Sequence, residues 1–133
     1  MRDQRLPPDD PREWINRAYS NLAQAEAGAN LPAIYLEDLC FQAQQAVEKA
    51  LKAVLLAKSV RFSRTHDLAE LISLLEANEQ TLPERVYAAA QLTVFAVGAR
   101  YPGLTEPVTE EEYDAALSLA GYVVQWAQQL VLS

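Results

Sequence analysis

The chain has one histidine, His66, which lies at the end of a loop rich in basic residues. A histidine ring can transfer a proton near neutral pH or contact an anion, so His66 is a candidate general acid or base. Arg61 precedes it with an Arg-x4-His spacing, and Arg64 lies between the two. Arginine binds phosphate through charge-assisted hydrogen bonds. The loop is therefore the first candidate for binding an anion such as a nucleotide phosphate.

A simpler interpretation of these residues is structural. Thr65 or His66 lies where a short helix should begin, and a side chain there can cap free backbone N–H groups. Lys52 belongs to the same basic stretch and is a further candidate for binding a nucleotide phosphate, but Glu48 lies one helical turn before it. A Glu–Lys pair at this spacing favours a solvated helix face for Lys52. For the loop arginines, anion binding and a solvated surface both stay open.

Charge is unevenly distributed along the 133 residues. The formal net charge of -7 argues against general nucleic-acid binding, because phosphate neutralisation needs Lys and Arg. Five of the eleven basic residues nevertheless fall between Lys49 and Arg64, and none follows Arg100. We therefore expect a local cationic patch on an acidic protein.

Other chemistries lack matching residues. Cys40 is the only cysteine, so no internal disulfide is possible, and its place on an apolar helix stripe favours a buried hydrophobe. Zinc needs three or four ligands, which one histidine and one cysteine do not supply. Asp38 and Glu48 fall on different parts of one helix surface, and the glycines form no phosphate-binding loop. We predict no metal and no cofactor.

The elements that position these residues are predicted to be helices. Apolar residues recur at helical spacing from Leu36 to Val54, and no stretch alternates like a half-buried strand. Asp10 followed by Pro11 marks the start of the first helix, and Thr109 with Glu112 forms a capping box for the last. The predicted helices cover residues 10–28, 33–58, 68–75, 83–98 and 109–132.

These helices predict an all-α fold, an antiparallel up-and-down bundle of four long helices plus one short helix. We expect a flexible N-terminal arm over residues 1–9 and one domain over residues 10–133. The N-terminus does not look like a signal peptide, and no apolar run approaches the ~20 residues of a membrane helix. We expect no membrane association and a cytoplasmic location.

Several large apolar residues fall outside the predicted stripes. A small bundle cannot easily bury all of them, and an exposed apolar patch usually marks an interface. We therefore expect a two-fold homodimer. The residues of this predicted patch are Phe41, Leu92, Phe95, Tyr122 and Trp126.

Three runs of residues resemble a known family. The run FQAQQAVEKALK, residues 41–52, is followed by the basic loop and by Thr65-His66-Asp67-Leu68, and the combination looks like the HEPN domain (higher eukaryotes and prokaryotes nucleotide-binding). Ala99-Arg100-Tyr101-Pro102 also looks like that family. The resemblance implies a helical homodimer that binds a nucleotide or RNA phosphate, with Arg100 and Tyr101 among its ligand-binding residues.

Many HEPN ribonucleases carry an Arg-x4–6-His motif late in the chain, where Arg100 lies in this sequence. No histidine follows Arg100, and the Arg61/His66 pair lies too early to take that role. Arg100 could bind an anion or complement a helix dipole. The resemblance implies a non-catalytic nucleotide- or partner-binding module, acting with a minimal nucleotidyltransferase in a toxin–antitoxin-like pair. Two alternatives stay open: a metal-independent ribonuclease using Arg61 or Arg100 with His66, and a purely structural helical dimer.

Overall fold

The computed structural model of the chain describes residues 5–97 and 107–133. Within these ranges every regular element is helical and there is no strand, which confirms the predicted all-α class. A 3₁₀ turn, Ala89–Thr93, joins two short helices into the fourth long helical segment of the bundle. The helices are α1 (Pro11–Ala27), α2 (Leu36–Ala57), α3 (Leu68–Ala77), α4 (Glu84–Ala88), α5 (Val94–Val97) and α6 (Glu110–Leu132).

Local sequence signals set the ends of α1 and α6. The Asp10 side chain accepts a hydrogen bond from the backbone N–H of Arg12, as an N-cap residue should. Thr109 and Glu112 form the reciprocal capping box at the start of α6. Both helices therefore begin where the sequence predicts.

The second helix begins later than the sequence predicts. It starts at Leu36 rather than at residue 33, because the preceding residues form a turn in which the N–H of Ile34 bonds to the carbonyl of Leu31 at 3.0 Å. Four of its five alanines are fully buried, so neighbouring helices approach α2 closely. The buried alanines are Ala43, Ala46, Ala50 and Ala53.

The long helices alternate in direction. A Cβ added at Gly28, after α1, would overlap Leu39 near the start of α2, so these two helices pack antiparallel. Tyr113, at the start of α6, donates a 2.6 Å hydrogen bond to the carbonyl of Ala25 near the end of α1. The Arg85 guanidinium of α4 donates to the Ser118 hydroxyl of α6 at 2.7 Å. The contacts match an up-and-down bundle.

The fourth segment differs from the straight α-helix that the sequence predicts. A regular helix would place Val86, Ala90 and Val94 on one buried face, but Val94 is 54% exposed. Val86 is buried as predicted, but the next buried residues are Ala89 and Leu92, which continue at a spacing of three. Because a 3₁₀ turn has 3.0 residues per turn, it rotates the buried face relative to an α-helix.

Candidate functional site

A stripe of polar side chains is buried along α2. Gln44, Glu48 and Lys52 follow one another at a spacing of four residues and are all buried. The Lys52 ammonium lies 3.0 Å from the Glu48 carboxylate, and the side chains are only 8% and 6% exposed. The predicted Glu–Lys pair is therefore present, but its assignment to a solvated helix face is wrong. Helix α2 packs against α1, α3 and α6, so little of its surface is exposed to water.

The Glu48 carboxylate is the centre of this stripe. One oxygen, Oε2, accepts from the Lys52 ammonium, and the other, Oε1, accepts from the Gln44 side-chain amide at 3.2 Å. The same Oε1 lies 2.8 Å from Nδ1 of His66, the residue that follows 18 positions later. Burying an unpaired carboxylate is costly, so these three partners explain how Glu48 is tolerated there.

Neither Thr65 nor His66 caps α3 in the way the sequence suggests. The N-cap is Asp67, whose carboxylate accepts from the backbone N–H of Ala69 at 3.0 Å. Thr65 supports this turn by accepting from the backbone N–H of Asp67. The His66 ring instead turns back to Glu48 while its side chain stays 65% exposed. Within the described part of the chain its second ring nitrogen, Nε2, has no hydrogen-bond partner.

The loop that joins α2 to α3 is attached to the bundle a second time through Phe62. The Lys52 ammonium lies 5.6 Å from the centre of the Phe62 ring, which is cation–π range. The Trp14 ring of α1 packs on Phe62 edge-on, with ring centroids 6.0 Å apart. We call residues 58–67 the basic loop. It is held at Phe62 and His66, and the hydroxyls of Ser63 and Thr65 donate to the Glu70 carboxylate of α3.

The remaining basic side chains of this loop have no acidic partner. Lys58, Arg61 and Arg64 are exposed, and none of their side chains makes an ion pair or hydrogen bond to another residue in the described ranges. By contrast, Arg12 is paired with Asp10 at 2.7 Å. Other cations with partners are Arg17 with Glu13, Lys52 with Glu48, Lys49 with Asn21, and Arg85 with Ser118. Arg5 is the other exposed cation without an ion pair among the described residues, so free positive charge is concentrated on the basic loop.

The structure brings some of the predicted site residues together and leaves others apart. Lys52 and His66 meet at Glu48, whereas Arg61 and Arg64 share the loop without joining that network. Arg100 and Tyr101 lie outside the described residues. Sequence reasoning missed Glu48 as the centre of the site. A usable signal was the repeat of polar residues at positions 44, 48 and 52 on an alanine-rich helix.

A second polar group lies beside this stripe, between α1 and α2. The Lys49 ammonium donates to the Asn21 carbonyl oxygen at 2.7 Å, and the Asn21 amide donates to Gln42 at the same distance. Partial burial lowers the pKa of Lys49, and the nearby positive charge of Arg17 lowers it further. Lys49 is therefore half-buried and pairs with an amide instead of a carboxylate.

The remaining predictions of special chemistry concern Cys40 and metal ligands. Cys40 is fully buried, and burial together with the charges of Glu112 and Glu37 raises its pKa to about 12. The thiol is thus held in its unreactive protonated form.

In the described ranges, no three His, Cys, Asp or Glu side chains come close enough to hold a metal ion. Nor does any described helix have the length and hydropathy needed to cross a membrane.

Part of the predicted dimer patch is buried within the single chain. Leu92 is only 3% exposed and belongs to the core, so its assignment to an exposed patch is wrong. Tyr122 is half-buried under the Arg85 guanidinium, which lies 4.8 Å from its ring centre. Phe95 and Leu119 line an open groove of about 270 Å³ between α5 and α6. Exposed Val94 also borders this groove.

Comparison with known proteins identifies the family. The HEPN domain model matches residues 11–130. The fold is similar to the crystal structure of TT1696 from Thermus thermophilus, with a TM-score of 0.78 and 29% identity over 92% of this chain and 98% of that chain. It is also similar to ST0689, an archaeal HEPN homologue, with a TM-score of 0.71 and 25% identity over 91% and 97% of the two chains. No curated protein matches. The chain therefore belongs to the HEPN domain family.

Proposed function

We propose that this chain is a non-catalytic HEPN module that binds the phosphate of a nucleotide on its basic loop and acts together with a protein partner. The observation that carries the proposal is the set of three exposed cations without acidic partners, Lys58, Arg61 and Arg64. The loop that bears them is fixed at Phe62 and His66, so little backbone freedom is lost when an anion binds.

A titration with adenosine monophosphate tests this proposal. Amide NMR spectra recorded at low salt should shift for residues of the basic loop, and adenosine without phosphate should leave them unchanged. Binding to exposed cations weakens as salt screens the charges, so the affinity should fall as the salt concentration rises. Equal shifts with adenosine, or shifts confined to residues far from the loop, would contradict phosphate binding here.

The protein partner that we propose is a minimal nucleotidyltransferase, in a toxin–antitoxin-like pair. Membership of the HEPN family supports this proposal, because small HEPN proteins of the resembling type are often coupled with such an enzyme. Co-purification from the native cell, followed by mass spectrometry of protein and nucleotide, tests it. Recovery of the chain without any nucleotidyltransferase, and the absence of such a gene beside its own, would contradict the pairing.

We also propose that the module is a homodimer formed across the groove between α5 and α6. Exposed Val94 and the apolar lining contributed by Phe95 and Leu119 support this, because such surfaces commonly mark interfaces. Sedimentation velocity at micromolar concentration should show a dimer, and Val94→Glu should shift it toward monomer. A wild-type protein that sediments only as a monomer would contradict the proposal.

One observation favours a second candidate function, a metal-independent ribonuclease. Glu48 holds Nδ1 of His66 at 2.8 Å and leaves the other ring nitrogen available, an arrangement that suits general acid–base catalysis. We nevertheless expect no cleavage of single-stranded RNA, because a family-type ribonuclease needs a late Arg–His pair that this chain lacks. Cleavage by the wild type that disappears in His66→Ala would establish the enzyme instead.

A further inference from the structure

The hydrogen bonds around Glu48 determine which nitrogen of His66 carries the proton. The Lys52 ammonium can only donate to this carboxylate. The Gln44 amide also donates to it through Nε2, since its Oε1 already accepts from Gln45 at 2.8 Å. The carboxylate is therefore the acceptor in all three contacts, and Nδ1 of His66 is the donor in the third.

A neutral imidazole has a single N–H group, so the other ring nitrogen of His66 bears a lone pair. That nitrogen, Nε2, belongs to a side chain that is 65% exposed and is accessible to a ligand. A lone pair does not bind a phosphate oxygen, which is also an acceptor. It pairs with a hydroxyl group, which can donate a hydrogen bond.

The cations that would hold the phosphate are close to His66 along the chain. Arg64 precedes it by two residues, and two residues of extended chain span at most about 7 Å. A nucleoside monophosphate carries its phosphate and its ribose hydroxyls within a few ångströms of each other. One such ligand can thus place its phosphate on the loop arginines and a hydroxyl on the histidine.

We propose that His66 accepts a hydrogen bond from a ribose hydroxyl of the bound nucleotide, so that the site selects ribonucleotides over nucleotides that lack these hydroxyls. The inference rests on the proposed phosphate binding by the basic loop and adds to it the part of the ligand that gives selectivity. A ligand that donates a hydroxyl hydrogen bond to this nitrogen is favoured over an analogue without the hydroxyl, because the analogue leaves the exposed acceptor to water and gains no bond.

The test compares adenosine monophosphate with 2′,3′-dideoxyadenosine monophosphate at a pH where the ¹⁵N spectrum of His66 shows the neutral ring. The dideoxy compound should bind about five-fold more weakly to the wild type, the ratio expected for one ordinary hydrogen bond. In His66→Ala the two ligands should bind equally. Because the amide oxygen of glutamine is an acceptor, His66→Gln should recover part of the preference.

The outcomes separate this inference from the function on which it rests. Equal binding of the two nucleotides to the wild type, with loop amide shifts intact, would overturn the hydroxyl contact and leave phosphate binding standing. If neither nucleotide binds, the hydroxyl contact and the phosphate binding on which it rests are both overturned. A ¹⁵N spectrum in which Nε2 carries the proton of the neutral ring would remove the physical basis of the selectivity.

Discussion

Replacing Glu48 by alanine is expected to lower the free energy of unfolding by about 3–5 kcal/mol, the range for breaking a buried ion pair by removing one partner. The Lys52 ammonium is only 8% exposed and would lose the carboxylate that compensates its burial. The exposed His66 ring would lose its anchor at the same time. Urea unfolding followed by circular dichroism measures the change.

A double variant separates the two contributions to this loss. In Glu48→Leu/Lys52→Met both charges are replaced by apolar groups of similar size, so no unpaired buried charge remains. We expect this protein to be more stable than Glu48→Ala, although its basic loop still lacks the anchor at His66. Arg12→Ala is the surface control, because Arg12 is paired with Asp10 but is 56% exposed. A midpoint for Glu48→Ala equal to that of this control would contradict a buried, stabilising pair.

Helix positions were largely predictable because their signals are local. The cap at Asp10, the capping box of Thr109 and Glu112, and the apolar stripe of α2 depend on residues within a few turns of each other. The 3₁₀ turn at Ala89–Thr93 was missed because an apolar run can be read with more than one period.

The candidate site was predictable only in part, because its contacts join residues far apart in sequence. Glu48 and Lys52 form a helix pair that looks the same from sequence whether it faces water or the protein interior. Their burial depends on the basic loop and α3 folding over α2, which periodicity within one helix cannot report. By contrast, the excess of basic residues around Arg61 and Arg64 is visible in the sequence, because charged residues can be counted without knowing which residues they contact.

Removing both loop arginines is expected to have the largest effect on ligand binding. A hydrogen bond to a charged group contributes about 1.5–3 kcal/mol, so Arg61→Ala/Arg64→Ala should weaken adenosine monophosphate binding by about a hundred-fold or more. Both side chains are exposed and unpaired within the described residues, so the fold should be unaffected. The unfolding midpoint in urea checks this, and calorimetric titration at low salt measures the affinity.

The single variants provide a matched comparison for charge. Arg64→Ala and Arg85→Ala each remove one positive charge, but Arg85 lies on α4 and donates to Ser118 of α6, away from the basic loop. Direct contact predicts a large loss for Arg64→Ala and little change for Arg85→Ala. A diffuse attraction by the whole molecule would instead give equal losses, and the net charge of -7 makes such an attraction unfavourable for a phosphate. A loss restricted to the loop variants, with a weaker salt dependence of the remaining binding, would therefore locate the phosphate on the basic loop.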